Sequence, residues 1–140
     1  PDHLVPIGAA RIARPGRDVT VVGWSRIVHD CLAAADRLAA EGIDVEVIDL
    51  RTISPWDRTT VLESVTRTGR LLIVQEAVTD FGAGAEIAAV VADEAFWALD
   101  APVRRVGAPF LPAPYAPNLE HRWLPDTERI AGEIRRLVRT

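Results

Sequence analysis

The segment from Glu41 to Asp57 constrains the fold of this chain more than any other part of the sequence. Gly42 is placed to end a helix in the left-handed conformation. The segment Val45–Leu50 follows, and its apolar residues Val45, Val47 and Ile48 predict a buried strand. Ser54 then predicts the N-cap of a second helix, with Pro55 in the first helical position, where a missing N–H is tolerated. A buried strand between two helices is typical of an α/β fold.

The rest of the chain repeats this alternation of apolar strands with helices of 3.6-residue periodicity. Ser25 is the predicted N-cap of the first helix. Because a short turn at Pro15 and Gly16 joins the first two strands, they cannot be parallel neighbours, and one strand should run against the others. The pattern predicts a three-layer α/β sandwich. Further strands are predicted at Ala10–Ala13, Asp18–Val22, Leu71–Val74 and Pro102–Val106, and further helices at Ser25–Ala40, Ala83–Leu99 and Pro125–Val138.

Composition excludes several classes of function. With 140 residues, 49% hydrophobic and 26% charged, the chain is typical of one soluble globular domain. No run approaches the roughly 20 apolar residues of a membrane-spanning helix, and the net charge of -4 argues against a nucleic-acid partner. All basic residues are arginine, so no Schiff-base lysine is present. The single cysteine, Cys31, excludes an internal disulfide, and a cytosolic setting is expected.

A glycine-rich segment, Phe81–Ile87, follows a predicted strand and opens a predicted helix. That arrangement is typical of dinucleotide-binding turns. The match is poor, because the segment Gln75–Asp80 separates the strand from the first glycine and Ile87 occupies the third glycine position. Close backbone packing at a helix entry is the favoured interpretation. An anion held at the helix N-terminus is the alternative.

Few other side chains carry reactive chemistry. Cys31 lies on the predicted buried stripe of the first helix and is not expected to be a catalytic thiol. His3, His29 and His121 share no metal-ligand spacing. Glu76 ends the central strand, where open α/β sheets often place a ligand, and is a weak candidate for contact with a substrate or cofactor.

Two groups of residues are candidates for structural or interface roles. Asp49 and Arg51 lie on the same side of a strand end and are predicted to form an ion pair that fixes the turn into the next helix. A docking role at a subunit boundary is the alternative. Aromatic residues concentrate in loops, where they often act as interface anchors. The candidate interface residues are Phe110, Tyr115, Trp123 and Glu86.

Four blocks of the sequence resemble, in order, the C-terminal domain of transketolase-like thiamine-diphosphate enzymes. They are Gly42–Asp57, Phe81–Ala88, Leu99–Val106 and Pro114–Glu120. The first block is similar to transketolase and deoxyxylulose-phosphate synthase alike. The last two resemble the beta subunit of 2-oxo acid dehydrogenases of the pyruvate or branched-chain type. Alternatives are a transketolase, a deoxyxylulose-phosphate synthase, or a free-standing doubly wound module that binds a nucleotide or anion.

The resemblance implies a fold, partners and a cofactor. The sheet should be mixed and five-stranded, in the order 1-3-2-4-5 with the first strand antiparallel, between two helical layers. The intact enzyme should contain alpha and beta subunits that hold thiamine diphosphate and magnesium. It should decarboxylate a 2-oxo acid oxidatively and transfer the acyl group to a lipoyl arm. The C-terminal domain should form beta–beta contacts and dock the acyltransferase core component.

The same resemblance sets the expectations for these residues themselves. Residues 1–140 should form a single domain of a longer beta subunit, without its N-terminal pyrimidine-binding domain; a chain that begins at Pro1 and lacks methionine fits this expectation. No catalytic, cofactor-binding or metal-binding residue is assigned, and the isolated piece should be inactive and bind no thiamine diphosphate. A bacterial cytoplasmic location is expected. Relatives often have His-Glu where this chain has Gln75 and Glu76.

Overall fold

The computed structural model describes residues 4–140 and contains a five-stranded sheet with helices on both faces. A 3₁₀ turn, Phe96–Ala98, precedes the last strand. The strands are β1 (Arg11–Arg14), β2 (Val19–Gly23), β3 (Val45–Asp49), β4 (Leu71–Val78) and β5 (Arg104–Ala108). The helices are α1 (Ile27–Ala39), α2 (Arg58–Thr68), α3 (Gly82–Glu94), α4 (Pro117–Trp123) and α5 (Thr127–Val138).

The strand order is β1-β3-β2-β4-β5. Strands β2 to β5 are parallel to one another, and β1 pairs with β3 in the antiparallel direction. The predicted order and the predicted antiparallel first strand are both confirmed. All five residues of β2 are buried, as expected for a central strand that is covered on both faces.

Alternate residues of the central strands face two apolar layers, because side chains along a strand point to opposite faces of the sheet. Val21 and Leu72 pack in the layer formed with α1 and α5. Their neighbours Val22 and Ile73 pack in the layer formed with α2 and α3. The predicted three-layer sandwich is therefore confirmed.

A buried polar network lies between α2 and the sheet. The hydroxyl of Thr20 lies 2.6 Å from that of Ser64 and 2.7 Å from that of Thr68. Ser64 donates to the buried Glu46 carboxylate, which also accepts a hydrogen bond from Arg67 at the surface. Because buried polar groups need hydrogen-bond partners, this network holds α2 in one position on the sheet.

The start of α1 differs from the prediction, whereas its end agrees with it. Ser25 does not cap the helix: it has a φ of 64°, and the N-cap position belongs to Arg26, whose side chain forms no capping hydrogen bond. At the other end Gly42 has a φ of 80°. The N–H of Ile43 donates to the carbonyl of Leu38 at 3.0 Å, which is the Schellman pattern expected around a left-handed glycine.

The start of α2 lies later than predicted. Ser54–Pro55 belongs to an irregular segment, and the helix begins at Arg58 with Asp57 as its N-cap. The Asp57 carboxylate accepts hydrogen bonds from the Thr60 N–H at 3.1 Å and the Thr60 hydroxyl at 2.8 Å. It also accepts one from the Ala10 N–H at 2.9 Å. Asp57 therefore ties the helix start to the chain that enters β1, a contact that no local pattern indicates.

Other elements also differ from the predictions: β4 extends to Val78 rather than ending at Val74, and α5 begins at Thr127 rather than Pro125. Helix α3 ends earlier than predicted, at Glu94, because Ala95 leaves the helical conformation. Strand β5 begins at Arg104 rather than Pro102, since proline has no N–H to donate to the ladder. Helix α4 was not predicted, although Pro117 in its first turn is a recognised start signal.

Candidate functional site

Four loops meet at one edge of the sheet because the parallel strands β2 to β5 all end there. We call this edge, formed by residues 24–26, 50–57, 76–82 and 109–116, the carboxyl edge. Open α/β sheets commonly bind ligands at this position. Three non-glycine residues in these loops have positive φ angles: Ser25 at 64°, Arg51 at 60° and Phe81 at 59°. Such conformations persist where surrounding contacts hold them, so the carboxyl edge is the candidate site.

A cluster of ion pairs occupies the carboxyl edge between the ends of β2 and β4. The Arg26 guanidinium lies 3.4 Å from the carboxylate of Glu76 and 3.7 Å from that of Asp30. Asp30 also accepts a hydrogen bond from the Thr127 hydroxyl at 3.1 Å, which links the cluster to α5. Glu76, the weak candidate for ligand contact, is thus paired within the chain.

Asp49 and Arg51 are paired differently from the prediction. The Asp49 carboxylate accepts a hydrogen bond from the backbone N–H of Arg51 at 3.1 Å. Its guanidinium partner is Arg11 of β1, at 3.7 Å. These three residues, with Val5 and Ser25, line an open hollow of about 420 Å³. Asp49 holds the turn after β3 through the backbone of Arg51, and the ion pair ties that turn to the neighbouring strand.

The glycine-rich start of α3 is filled by a side chain of the protein itself. The amide oxygen of Gln75 accepts a hydrogen bond from the Gly84 N–H at 3.1 Å. A Cβ atom at Gly84 would lie 2.6 Å from that oxygen, so that a larger residue would force the Gln75 side chain to move. These contacts support close packing as the reason for the glycines. They weaken the nucleotide-binding alternative, because the Gly84 amide already has a partner.

An apolar surface covers the carboxyl edge beside β5. The rings of Phe81 and Phe110 are 6.1 Å apart in an edge-to-face arrangement, and the two residues are 77% and 65% exposed. Phe110 also lines an apolar hollow of about 360 Å³ with Val78, Leu111 and Pro112. We call these five residues the aromatic surface. Contiguous exposed apolar groups of this kind mark sites of contact with another molecule.

The candidate interface residues take different positions. Phe110 belongs to the aromatic surface, and Tyr115 is fully exposed in the loop before α4. Trp123 at the end of α4 is half-buried, and its indole N–H donates to the carbonyl of Leu111 at 3.2 Å. Trp123 therefore supports the loop that carries the aromatic surface. Glu86 is exposed on α3.

A second exposed aromatic pair lies at the opposite end of the sheet, in the 3₁₀ turn before β5. The rings of Phe96 and Trp97 are 5.0 Å apart, and Trp97 is 95% exposed. Both line a hollow of about 540 Å³ with Leu99 and Asp100. Sequence reasoning missed this pair because it placed both residues inside a longer α3, where apolar side chains are expected in the core.

The remaining reactive side chains form no cluster in the part of the chain that is described. Cys31 is buried, and burial, followed by the charge of Asp30, raises the pKa of its thiol to about 12, so it is not a thiolate at neutral pH. His29 and His121 are exposed, and His3 lies outside the described residues. Within residues 4–140, no three His, Cys, Asp or Glu side chains are grouped to hold a metal ion, and no helix is long and apolar enough to cross a membrane.

The family described as Transketolase, C-terminal domain, matches residues 8–130. The mitochondrial pyruvate dehydrogenase E1 component subunit beta of Dictyostelium discoideum is 46% identical, over 98% of this chain and 38% of that protein. The acetoin:2,6-dichlorophenolindophenol oxidoreductase subunit beta of Cupriavidus necator is 44% identical, over 98% of this chain and 40% of that protein. The 2-oxoisovalerate dehydrogenase subunit beta of Bacillus subtilis is 36% identical, over 98% of this chain and 42% of that protein. The chain thus spans about two fifths of the length of these curated relatives.

Among solved structures, a split-gene transketolase described as an inactive beta4 tetramer matches with a TM-score of 0.85 and 26% sequence identity. The match covers 99% of this chain and 44% of that chain. The sheet with its helical layers is therefore that of a transketolase C-terminal domain.

The expected bacterial cytoplasmic location is wrong. The pyruvate dehydrogenase beta subunits of Dictyostelium discoideum, Arabidopsis thaliana and Pisum sativum, at 46%, 48% and 46% identity, are mitochondrial proteins and point away from that assignment. The expected family, in contrast, is confirmed by the match over residues 8–130 and by the relatives that align along nearly all of the sequence. The chain belongs to the transketolase C-terminal domain family.

Proposed function

We propose that this chain is the C-terminal domain of the beta subunit of a thiamine-diphosphate-dependent 2-oxo acid dehydrogenase, and that it serves assembly. The observation that carries the proposal is the composition of the carboxyl edge. Arg26 and Glu76 of this edge form an ion pair, and Arg11 and Asp49 form another beside it, while the aromatic surface is exposed. Such an edge is suited to contact with another protein, because aromatic residues are enriched in the cores of interfaces.

In the proposal, residues 4–140 hold neither thiamine diphosphate nor magnesium. Within that range no three acidic, histidine or cysteine side chains are grouped as metal ligands. The N–H of Gly84, at the glycine-rich helix start, is bonded to Gln75. In the proposal the alpha subunit and the N-terminal part of the beta subunit hold the cofactor. Oxidative decarboxylation and transfer of the acyl group to the lipoyl arm then take place outside this domain.

The proposed partners are an alpha subunit, a second beta subunit and the acyltransferase core component. The names of the relatives as subunits support this assignment, as does a transketolase structure named as a beta4 tetramer. The aromatic surface and the Phe96–Trp97 pair lie at opposite ends of the sheet. A partner bound at the aromatic surface therefore leaves the Phe96–Trp97 pair uncovered.

Substrate selection is proposed to lie outside this domain. Relatives named for pyruvate, acetoin and 2-oxoisovalerate are 46%, 44% and 36% identical to it. One domain thus serves enzymes named for three substrates, as expected of a part that binds other subunits. The lower identity to the split-gene transketolase, 26%, favours a dehydrogenase over a transketolase.

The proposal is tested in the full-length beta subunit that contains this domain, co-expressed with its alpha subunit. Phe110→Ser, Tyr115→Ala and Trp123→Ala should each weaken subunit association, measured by analytical ultracentrifugation. A stable contact buries roughly 800 Å² on each partner, and truncation of a central aromatic anchor costs more than about 1 kcal/mol.

Trp97→Ala is the control, since it removes an exposed aromatic side chain at the other end of the sheet. It should leave alpha–beta and beta–beta association unchanged. Full assembly by all three test variants would contradict the assignment of this surface.

A further inference from the structure

Gln75 is a polar side chain held in the interior of the protein where β4 gives way to the carboxyl edge. It is 3% exposed. Its amide uses both ends: the oxygen accepts from the Gly84 N–H at 3.1 Å, and the nitrogen donates to the carbonyl of Val78 at 2.5 Å. The Gln75 side chain therefore forms hydrogen bonds with the backbone on both sides of Phe81.

The space around this amide is made by three glycines from two elements. A Cβ at Gly84 would lie 2.6 Å from the amide oxygen of Gln75, and a Cβ at Gly107 of β5 would lie 2.6 Å from the carbonyl oxygen of Ala77 and 3.2 Å from the Cγ of Gln75. A Cβ at Gly82 would lie 3.8 Å from the amide nitrogen of Gln75. Any larger residue at Gly84 or Gly107 would displace the side chain or the backbone. Gly84 thus leaves the space that the amide of Gln75 occupies.

The segment between the two hydrogen bonds has an irregular course. The ladder of β4 and β5 shifts register between Val74 and Val78, so that β4 carries a bulge. Thr79 is bonded to β5 independently, through its N–H and the carbonyl of Ala108 at 2.9 Å. Phe81 then takes a φ of 59° before α3 begins, and its ring meets that of Phe110. The Gln75–Gly84 hydrogen bond ties the far side of this turn to β4.

From these contacts we infer that Gln75 is a positioning residue for partner binding: its amide holds the Val78–Gly84 segment so that Phe81 and Phe110 form the aromatic surface. The inference rests on the proposed function, because it assigns the orientation of the surface used there. Gln75 itself is buried and touches no partner. Its effect on association passes through Phe81.

The test is a double-mutant cycle in the full-length beta subunit with its alpha subunit. Phe81→Ala alone and Gln75→Leu alone should each weaken association roughly tenfold, as removal of an interface anchor does. The double variant should weaken it by little more than either single change, because both remove the same contact. A loss of about one hundredfold, the product of two independent effects, overturns the inference.

Two further variants separate hydrogen bonding from volume. The neutral imidazole of Gln75→His offers one donor and one acceptor and should keep association within about threefold. Gln75→Glu keeps the acceptor for Gly84 but loses the donor to Val78, and should weaken association while the Gly84 amide stays protected from hydrogen exchange. Equal losses in the histidine and leucine variants would assign the effect to volume and overturn the inference.

Failure of the inference is distinguishable from failure of the proposed function. If Phe81→Ala leaves association unchanged, the aromatic surface is not the contact. That result contradicts both the proposed function of this surface and the inference about Gln75. If Phe81→Ala weakens association but Gln75→Leu and Gln75→Glu do not, the surface stands and the role of Gln75 is overturned. Should Gln75→Leu fail to fold, the cycle is measured with Gln75→Glu in its place.

Discussion

At the scale of single residues, two glycines in helices show how the packing around a position decides whether glycine is required there. Gly84 in the first turn of α3 has Gln75 and Ile73 against it, at 2.6 and 3.3 Å from the place of a Cβ. Gly132 in α5 has nothing within 4 Å of that place. Both lie in helices, so both would gain helix propensity from alanine.

Gly84→Ala should lower the free energy of unfolding by about 1–3 kcal/mol, the usual cost of forcing extra atoms into a packed site. Gly132→Ala, the same change in open space, should raise it by about 0.5–1 kcal/mol. Urea unfolding measures both. Equal stability changes in the two variants would mean that the Gln75 contact does not restrict position 84.

Asp57 joins local and distant structure through one carboxylate. Burial alone raises the pKa of Asp57, but the hydrogen bonds from the Ala10 N–H and from the Thr60 N–H and hydroxyl outweigh it, and the pKa lies below its ordinary value. A carboxyl whose pKa is lowered by folding stabilises the protein above its unfolded pKa, near 4. That stabilisation is lost as the pH falls through the lower, folded value.

Asp57→Asn should therefore flatten the fall in unfolding free energy below about pH 4. Asp57→Ala should cost about 0.5–2 kcal/mol at neutral pH, the range for loss of an N-cap. Urea unfolding at a series of pH values checks both changes. If the free energy of unfolding falls with acid equally in Asp57→Asn and in the unchanged chain, the Asp57 carboxyl does not contribute to the pH dependence of stability.

At the scale of elements, apolar packing and surface ion pairs join α1 to α5 with different strength. Ile134 of α5 is fully buried in the layer that contains α1. Its neighbour Arg135 reaches Glu41 at 2.6 Å and Glu128 at 3.3 Å. The hydrogen bond and charge of Arg135 lower the pKa of the Glu41 carboxyl. Exposed pairs of this kind contribute little to stability, since water and salt screen them.

Ile134→Ala should lower the free energy of unfolding by about 2–5 kcal/mol, through lost apolar burial and the cavity left behind. Arg135→Gln should lower it far less, and the difference should shrink as salt is added. Thermal unfolding at low and high salt compares the two. A larger effect for Arg135→Gln would mean that charge, not packing, holds α5 in place.

At the scale of the whole molecule, exposed aromatic groups lie at both ends of the sheet. Phe81 and Phe110 follow the ends of β4 and β5, whereas Phe96 and Trp97 precede the start of β5. Sequence reasoning singled out Phe110 but not the Phe96–Trp97 pair. Exposure of large apolar side chains in groups promotes self-association when partners are absent.

The isolated chain should therefore self-associate weakly, and Phe110→Ser should reduce that association because it removes the centre of the aromatic surface. Sedimentation velocity over a range of concentrations measures the effect. Glu63→Gln, a change at an exposed position on α2, is the control and should leave association as it was. Equal association of the two variants would place the contact elsewhere on the molecule.

The architecture was largely predictable because it depends on local signals. The unbroken apolar run at Leu71–Val74 indicated a central strand, and Gly42 marked a helix end, with a positive φ in the structure. The strand order came from the family resemblance. Helix starts were less predictable: Ser25 and Ser54 are good N-caps by residue type, yet neither occupies a cap.

By itself the sequence determined the alternation of strands and helices, the buried stripes and the family, since all of these depend on residue type and short spacing. Tertiary structure alone decided which polar groups pair at the carboxyl edge. Asp57 bonds to Ala10, 47 residues away, and the glycines at the start of α3 receive Gln75. A buried polar side chain forms a hydrogen bond with the group that lies beside it in the folded protein. The packing of whole helices and strands decides which group that is.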